Sequence, residues 1–270
     1  MAYSYADLKL EREGGVAIVT LDRPDVLNAL SPAMRYSLVQ AIDEVDRDDG
    51  IKAMIITGAG RGFCSGADVR ATLGTASTRK GPVRPCDGRK GLLGPTPLPV
   101  QRLCRLDKPT IAAVNGVAAG AGLGIALACD MRIAAESARL ISLFVRRGLT
   151  PDTGVTYFLP RLIGMSKALE LMWSGDEVNA AESARLGLVS QVVPDAELMN
   201  VARERAERIA KGPSVAIELT KRLAYAGLDT SLSVHLAYEM NCSYACHATE
   251  DFEEGVRSFA EKRKPVFKGT

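Results

Sequence analysis

One segment decides the fold: NGVAAGAGLG, at positions 115–124. The apolar run TIAAV precedes it and the apolar run IALAC follows it, a pattern that predicts a strand, a turn of small residues and then a helix. Small residues let a backbone approach a ligand closely, and a helix N-terminus offers unpaired N–H groups at its positive dipole end. The segment therefore predicts a site for an oxygen that becomes negatively charged during a reaction.

The same glycines allow two other interpretations. Gly120, Gly122 and Gly124 give the pattern GxGxG, but the dinucleotide-binding fingerprint GxGxxG needs a glycine at 125, where this chain has isoleucine. The segment also lies far from the N-terminus, and no acidic residue follows at the expected distance, about 20 residues on. A tight strand–helix turn that binds nothing is the other alternative.

A second segment of the same kind favours the oxyanion interpretation. RGFCSGADVR, at positions 61–70, follows the strand-like run AMIIT at 53–57. It predicts another strand that leads into a turn bracketed by glycines. Two such turns can each direct one backbone N–H at the same oxygen, which is the arrangement that an oxyanion hole requires.

Together these segments resemble the crotonase, or enoyl-CoA hydratase/isomerase, superfamily. The resemblance implies an α/β fold with a spiral ββα acyl-CoA-binding core over 1–195, a variable loop at 71–99 and a C-terminal helical trimerisation region over 196–270. That loop holds five glycines and five prolines, which leaves open whether it is an ordered lid or a loose insertion. The other matching motifs, in chain order, are Arg23-Pro24, LNAL (27–30), Lys108-Pro109, Cys129-Asp130, Gly148-Leu149, LPRLIG (159–164), 184–189 and FAEKRK (259–264).

The resemblance also implies what the chain binds. The substrate is an acyl-CoA thioester, whose carbonyl oxygen is held by the amides of Ala67 and Ala121; CoA is part of the substrate, and neither a separate cofactor nor a metal is implied. Ala121 replaces a glycine that is usual in the family, and it would add strain of about 1 kcal/mol if the turn required a positive φ there. The residues matching the family's CoA-contacting positions are Arg23, Val26, Leu27, Asp68, Val69, Arg70, Lys262 and Lys264.

The acid and base residues depart from the family's hydratases. Those enzymes carry two glutamates, at the positions of Gly124 and Phe144 here, and neither of these residues transfers a proton. Asp152 instead aligns with the catalytic aspartate of relatives that isomerise dienoyl-CoAs or ring epoxides of aromatic acyl-CoAs. Without the resemblance, Asp152 is better explained as a helix N-cap that accepts a hydrogen bond from the amide of Val155 or its neighbour.

A single aspartate predicts an isomerase that moves a proton from one carbon to another. Aspartate is a weak base at its ordinary pKa of about 3.9, so we expect an apolar environment around it. The candidates for that environment are Leu149, Val155, Phe158 and Phe144.

Three other functions stay open. The first is a hydratase that recruits another carboxylate, such as Asp87; the second is a non-catalytic acyl-CoA-binding homologue. The third is a dehalogenase, which would need a histidine upstream of 115, and the first histidine of this chain is His235. The residues His235, Cys242, Cys246 and His247 lack the spacing of a zinc finger, which favours packing or solvent-facing roles over a metal site.

Composition limits the remaining classes. The 270 residues carry a formal net charge of +2 spread along the chain, which argues against nucleic-acid partners and a membrane-binding patch. Six cysteines, no signal peptide at the N-terminus and no apolar run of about 18 residues predict a cytoplasmic protein with reduced thiols. The resemblance adds a homotrimer or a dimer of trimers.

Regular elements follow from the hydrophobic pattern. Ser31-Pro32 predicts a helix start, and Met34, Leu38, Ile42 and Val45 form the apolar stripe of that helix. Strands are predicted at 16–21, 53–57, 110–114, 131–134 and 189–193, and C-terminal helices at 196–211, 214–226, 231–246 and 251–262.

Overall fold

The structure is a computed structural model that describes residues 5–68 and 99–270. Its strands are β1 (Leu8–Glu13), β2 (Val16–Leu21), β3 (Ala53–Gly58), β4 (Gly62–Cys64), β5 (Thr110–Val114), β6 (Val117–Ala119), β7 (Met131–Ala135), β8 (Arg139–Ile141), β9 (Glu177–Asn179) and β10 (Gln191–Val193). Its α-helices are α1 (Pro32–Arg47), α2 (Pro99–Arg105), α3 (Ala121–Ala128), α4 (Val155–Ile163), α5 (Met165–Ser174), α6 (Ala180–Leu186), α7 (Leu198–Ala210), α8 (Ser214–Ala226), α9 (Leu232–His247) and α10 (Glu250–Ala260). Short 3₁₀ turns cover Pro24–Val26, Leu143–Arg147 and Asp195–Glu197.

Two sheets organise the described chain. The larger has the strand order β1-β2-β3-β5-β7-β10, and the smaller has the order β4-β6-β8-β9. In the larger sheet only β1 runs antiparallel to its neighbour, and its central strands are buried along their whole length. Parallel strands covered on both faces are apolar at nearly every position, which explains the uninterrupted runs in the sequence.

Alternate residues of the central strands face opposite layers of the core. Ile18, Ile55 and Ile111 stand in register across β2, β3 and β5. They pack in one cluster with Leu198 and Ala202 of helix α7. The opposite face contributes to a larger cluster with helices α1 and α3. This division follows from the twofold side-chain period of a strand.

Helix α1 begins as the sequence predicts. The hydroxyl of Ser31 accepts a hydrogen bond of 2.9 Å from the amide of Met34, and Pro32 occupies the first helical position. The side chains of Met34, Leu38, Ile42 and Val45 are buried. The N-cap and the apolar stripe of this helix are thus confirmed.

Most predicted elements are confirmed, but the two glycine-rich segments are more than turns. The strands β3, β5 and β7 and the helices α7–α10 lie close to their predicted limits, while the last strand is shorter, Gln191–Val193. Each glycine-rich segment holds a three-residue strand, β4 and β6, and these two strands pair in parallel in the smaller sheet. The two turns therefore leave the same edge of one sheet side by side.

The C-terminal third is helical from Leu198 onward. Its first helix, α7, packs on the main sheet against β2, β3, β5 and β7, so the core continues past residue 195. The loop at 71–99 lies outside the described residues except for Pro99, which begins α2. No helix among the described residues has the length and apolar character that crossing a bilayer requires.

Candidate active site

The two glycine-rich turns are in van der Waals contact. A Cβ placed on Gly66 would lie 3.6 Å from the amide nitrogen of Ala121 and 3.0 Å from the carbonyl oxygen of Ala119. A Cβ on Gly122 would lie 2.1 Å from the carbonyl oxygen of Cys64, so no larger residue fits there. The contact places the amides of residues 67 and 121 on neighbouring, tightly packed backbones.

Ala67 and Ala121 both keep a free N–H within the part of the chain that the structure describes. Leu30 and Ala67 form an isolated parallel bridge, but its hydrogen bonds run from Leu30 to the carbonyl of Gly66 and from Asp68 to the carbonyl of Leu30. The amide of Ala67 is left out of this bridge. Ala121 opens helix α3, where the first N–H groups have no intrahelical acceptor. Two unpaired donors in adjoining turns can bind a single anionic oxygen.

The turn does not require a positive φ at Ala121, so the condition for strain at this alanine is not met. The left-handed backbone falls on Gly120, at φ 53°, and on Gly66, at φ 103°, whereas Ala121 has ordinary helical geometry. Glycine accepts a positive φ without steric cost. An alanine at 121 therefore costs the turn nothing, and its N–H stays available.

Two asparagines fix the loop before the first turn, and their role was not foreseen. Asn28 is fully buried at φ 55°; its carbonyl accepts from the amide of Arg23, and its amide donates to Ala59 and Gly62 at 2.9 and 2.7 Å. Asn115 donates to the carbonyls of Gly58 and Gly60, both at 2.8 Å. The polar residues inside the otherwise apolar motifs LNAL and AVNG were the only sequence indication of this clamp.

Four residues predicted to contact CoA lie next to the first turn. The hydroxyl and the amide of Ser65 donate to the carbonyls of Val26 and Leu27, at 3.1 and 2.9 Å. Arg23 donates to the carbonyl of Ala29 at 2.7 Å and forms an ion pair of 2.9 Å with Asp68. A second carboxylate, that of Asp7, lies 3.5 Å from the Nε of Arg23. The guanidinium therefore has carboxylate partners of its own.

The other CoA candidates are not assembled with these four. Val69 and Arg70 lie outside the described residues. Lys262 and Lys264 are exposed at the end of helix α10, and no described contact joins them to residues 23–30 or 65–68. Within the described chain, these two lysines are therefore not part of the same site as the first turn.

Apolar side chains close the far side of the second turn. Phe144 is buried, and its Cζ lies 3.8 Å from the position of a Cβ on Gly120. Burial raises the pKa of the Cys64 thiol to about 11, so this sulfur stays protonated at neutral pH and is no nucleophile. Of the described residues next to this turn, Phe144 and Cys64 supply no base at neutral pH.

Asp152 stands just before helix α4, beside helix α3. Its side chain is exposed and makes no hydrogen bond or ion pair with a described residue, and the N-cap of α4 is Gly154 without a side-chain cap. The cap interpretation of Asp152 is therefore wrong. Of the expected apolar neighbours, Val155, Phe158 and Phe144 are buried, but Leu149 is 59% exposed. The described residues therefore do not form the apolar enclosure that we expected around this carboxylate.

Comparison with known proteins gives the family of this chain. The sequence model of the enoyl-CoA hydratase/isomerase family matches residues 11–270. The chain belongs to that family. A search of the described residues for groups of His, Cys, Asp and Glu that could hold a metal ion found none.

Individual relatives of this enoyl-CoA hydratase/isomerase family member carry two kinds of name. The short-chain-enoyl-CoA hydratase of Clostridium acetobutylicum is 40% identical over 257 residues, which cover 94% of this chain and 95% of that protein. The 1,2-epoxyphenylacetyl-CoA isomerase of Escherichia coli is 37% identical over 259 residues, which cover 95% and 96%. The crystal structure of enoyl-CoA hydratase from Bacillus anthracis matches with a TM-score of 0.85 at 32% identity, covering 98% of this chain and all of that one.

Proposed function

We propose that this protein is an enoyl-CoA isomerase that uses Asp152 as its single acid and base. The observation that carries the proposal is that two free amides, on Ala67 and Ala121, are combined with the carboxylate of Asp152, which has no partner among the described residues and precedes the residue packed on helix α3. Gly124 and Phe144 stand where the family's hydratases hold glutamates. A similar protein that is named an isomerase supports the same direction.

The chemistry balances without any other reagent. The carboxylate of Asp152 removes a proton from C2 of a 3-enoyl thioester, and the C–H electrons delocalise through C2 onto the thioester oxygen. The amides of Ala67 and Ala121 donate to that oxygen while it is negative, and one such donor is worth roughly 3–4 kcal/mol. Asp152 then returns the proton to C4, which leaves the double bond between C2 and C3.

We further propose that the CoA portion passes the first turn. Val26 and Leu27 border this turn through Ser65, and Asp68 ends it. This position supports the proposal that they contact the pantetheine and adenine portions. The ion pairs of Arg23 with Asp68 and Asp7 favour a supporting role for this arginine over a bond to phosphate. Val69, Arg70, Lys262 and Lys264 remain candidates by the family resemblance alone.

The test is turnover of 2- and 3-enoyl-CoAs, followed as double-bond migration in D₂O. We expect Asp152→Asn to lower kcat by about 10² to 10⁴, the usual contribution of a positioned acid or base, and to stop deuterium entry at C2 and C4. Glu136→Gln is the matched control, because Glu136 is an exposed carboxylate on the turn after β7. Undiminished turnover by Asp152→Asn would remove this residue from the mechanism.

Hydration is the second candidate, because the 40% identical relative from Clostridium acetobutylicum is named a hydratase. A hydratase must place a hydroxyl at C3 and a proton at C2, so it would need a carboxylate besides those discussed, such as Asp87. Incubation of 2-enoyl-CoA in ¹⁸O-labelled water separates the two functions. Label in the product favours hydration, migration without label favours isomerisation, and binding of CoA thioesters with neither outcome favours a non-catalytic homologue.

We also propose that the protein forms a homotrimer or a dimer of trimers through its C-terminal helices. Helix α9 buries only Cys242, while Leu232, Leu236, Met240 and Tyr244 form an exposed stripe at a spacing of four residues. An apolar stripe of this kind on a soluble protein marks a contact surface. Light scattering should show that Leu236→Glu dissociates the assembly, and an unchanged mass would contradict this role for the stripe.

A further inference from the structure

Helix α3 and the Asp152 turn touch at one point without any gap. A Cβ built on Gly124 would lie 2.4 Å from the carbonyl oxygen of Thr153 and equally 2.4 Å from its Oγ1. Real Cβ atoms do not approach other atoms so closely, so even alanine at 124 requires the two segments to move apart. Because one of the two obstructing atoms belongs to the backbone, a change of rotamer at Thr153 cannot make the room.

Thr153 itself is held in an unfavourable state. Its φ is 51°, a left-handed conformation that is rare for a β-branched residue, and Gly154 follows at φ 80°. The Oγ1 of Thr153 is buried and has no hydrogen-bond partner among the described residues. Strained backbone and an unpaired buried hydroxyl each cost about 1–3 kcal/mol, so they persist only where surrounding structure imposes them.

The contact connects the two parts of the proposed reaction centre. Gly124 lies on the first turn of helix α3, with its amide bonded to the carbonyl of Gly120 at 3.1 Å, and Ala121 opens the same turn. Thr153 directly follows Asp152 in the chain. The spacing between the carboxylate and the Ala121 amide therefore depends on how closely residue 153 approaches residue 124.

We infer that Thr153 is a positioning residue, which sets the distance from Asp152 to the thioester site by packing against Gly124. This inference rests on the proposed function. It also gives Gly124 a role of its own. No side chain fits at this position, and its absence lets Thr153, and with it Asp152, approach helix α3.

The test is steady-state kinetics of Gly124→Ala, Thr153→Gly and Thr153→Ser on the isomerisation substrate. Displacing a reacting group by about 1 Å costs about 100-fold, so we expect Gly124→Ala to lose about that much kcat, with KM changed less than threefold. Thr153→Gly, which leaves the helix untouched, should lose at least about tenfold. Thr153→Ser keeps Oγ1 against Gly124 and should stay within about threefold of the parent.

Gly255→Ala is the matched control for the added methyl group. Gly255 also lies within a helix, and a Cβ there would meet only the ring of Phe267, at 3.9 Å. Its kcat should equal that of the parent. The carbonyl stretch of a bound thioester, measured by Raman difference spectroscopy, reports the Ala67 and Ala121 donors separately from Asp152. We expect Gly124→Ala to keep the parent's shift of this band while kcat falls.

The outcomes distinguish failure of the role of Thr153 from failure of the proposed function. If Asp152→Asn is inactive while Gly124→Ala and Thr153→Gly turn over like the parent, this inference is refuted and the proposed function stands. A band that returns to its free position in Gly124→Ala also refutes it, because the damage then lies at the Ala121 donor. If Gly124→Ala does not fold, the contrast between Thr153→Gly and Thr153→Ser decides. Full activity of Asp152→Asn overturns the proposed function itself.

Discussion

Replacing Gly66 by alanine tests the meeting point of the two turns. Gly66 has φ 103°, and its Cβ would lie 3.0 Å from the carbonyl oxygen of Ala119 and 3.6 Å from the amide nitrogen of Ala121. The left-handed backbone costs about 1–2 kcal/mol in stability with a Cβ present. The methyl group also occupies the approach to the Ala121 donor, and losing one such donor lowers kcat by about 10² to 10³.

The assay pairs kcat on an acyl-CoA substrate with denaturant unfolding, and Gly14→Ala is the control. Gly14 also has a positive φ, 57°, in the β1–β2 turn, but a Cβ there meets nothing within 4 Å. Gly14→Ala should therefore lose about 1 kcal/mol of stability and no activity. If Gly66→Ala has a kcat within threefold of that of Gly14→Ala, the two turns do not form the proposed oxygen site.

Two further predictions concern stability. Asn28→Ala removes the three hydrogen bonds of a fully buried side chain and should cost about 3 kcal/mol in the free energy of unfolding. Asn200→Ala loses one exposed bond and should stay within about 0.5 kcal/mol; equal effects would refute the role of Asn28 in holding the loop. Hydrogen bonds from Arg263 lower the pKa of Glu254 from 4.5 to about 2, so this pair stabilises the fold above about pH 4.5 and loses its effect as the pH falls towards 2. The difference in Tm between the parent and Glu254→Gln should therefore shrink over that range, and a constant difference would contradict the assignment.

The sequence was informative wherever one local pattern determines the structure. The cap at Ser31, the stripe of α1 and the apolar strands β2, β3 and β5 depend on spacing within a few residues, and all are confirmed. The smaller sheet was not foreseen, because its strands have only three residues each and pair with partners distant in the chain. Strands this short contain too few residues to show alternation.

The sequence predicted the two glycine-rich turns of the site, but it did not predict the contacts that hold other segments against them. Glycines in a strand–turn–helix pattern indicate a close backbone approach, and the structure brings these turns together. Nothing local in the sequence indicates that Thr153 would take a positive φ or that its carbonyl would face Gly124. Such contacts depend on how the segment before helix α4 packs on helix α3, and a pattern within one segment carries no information about that packing.

Overall similarity does not separate hydration from isomerisation for this chain, whereas the residues at positions 124, 144 and 152 bear on the choice directly. Relatives named for the two reactions are 40% and 37% identical to this chain, so the whole sequence hardly distinguishes them. The proposed donors, the amides of Ala67 and Ala121, would serve either reaction, because both reactions pass through negative charge on the thioester oxygen. Addition of water needs one group to activate it and another to protonate carbon, whereas a proton shift needs a single group that acts twice. Gly124 and Phe144 have no titratable side chain, and the close contact with Thr153 leaves no room for a side chain at 124, which is why we propose Asp152 as the single acid and base.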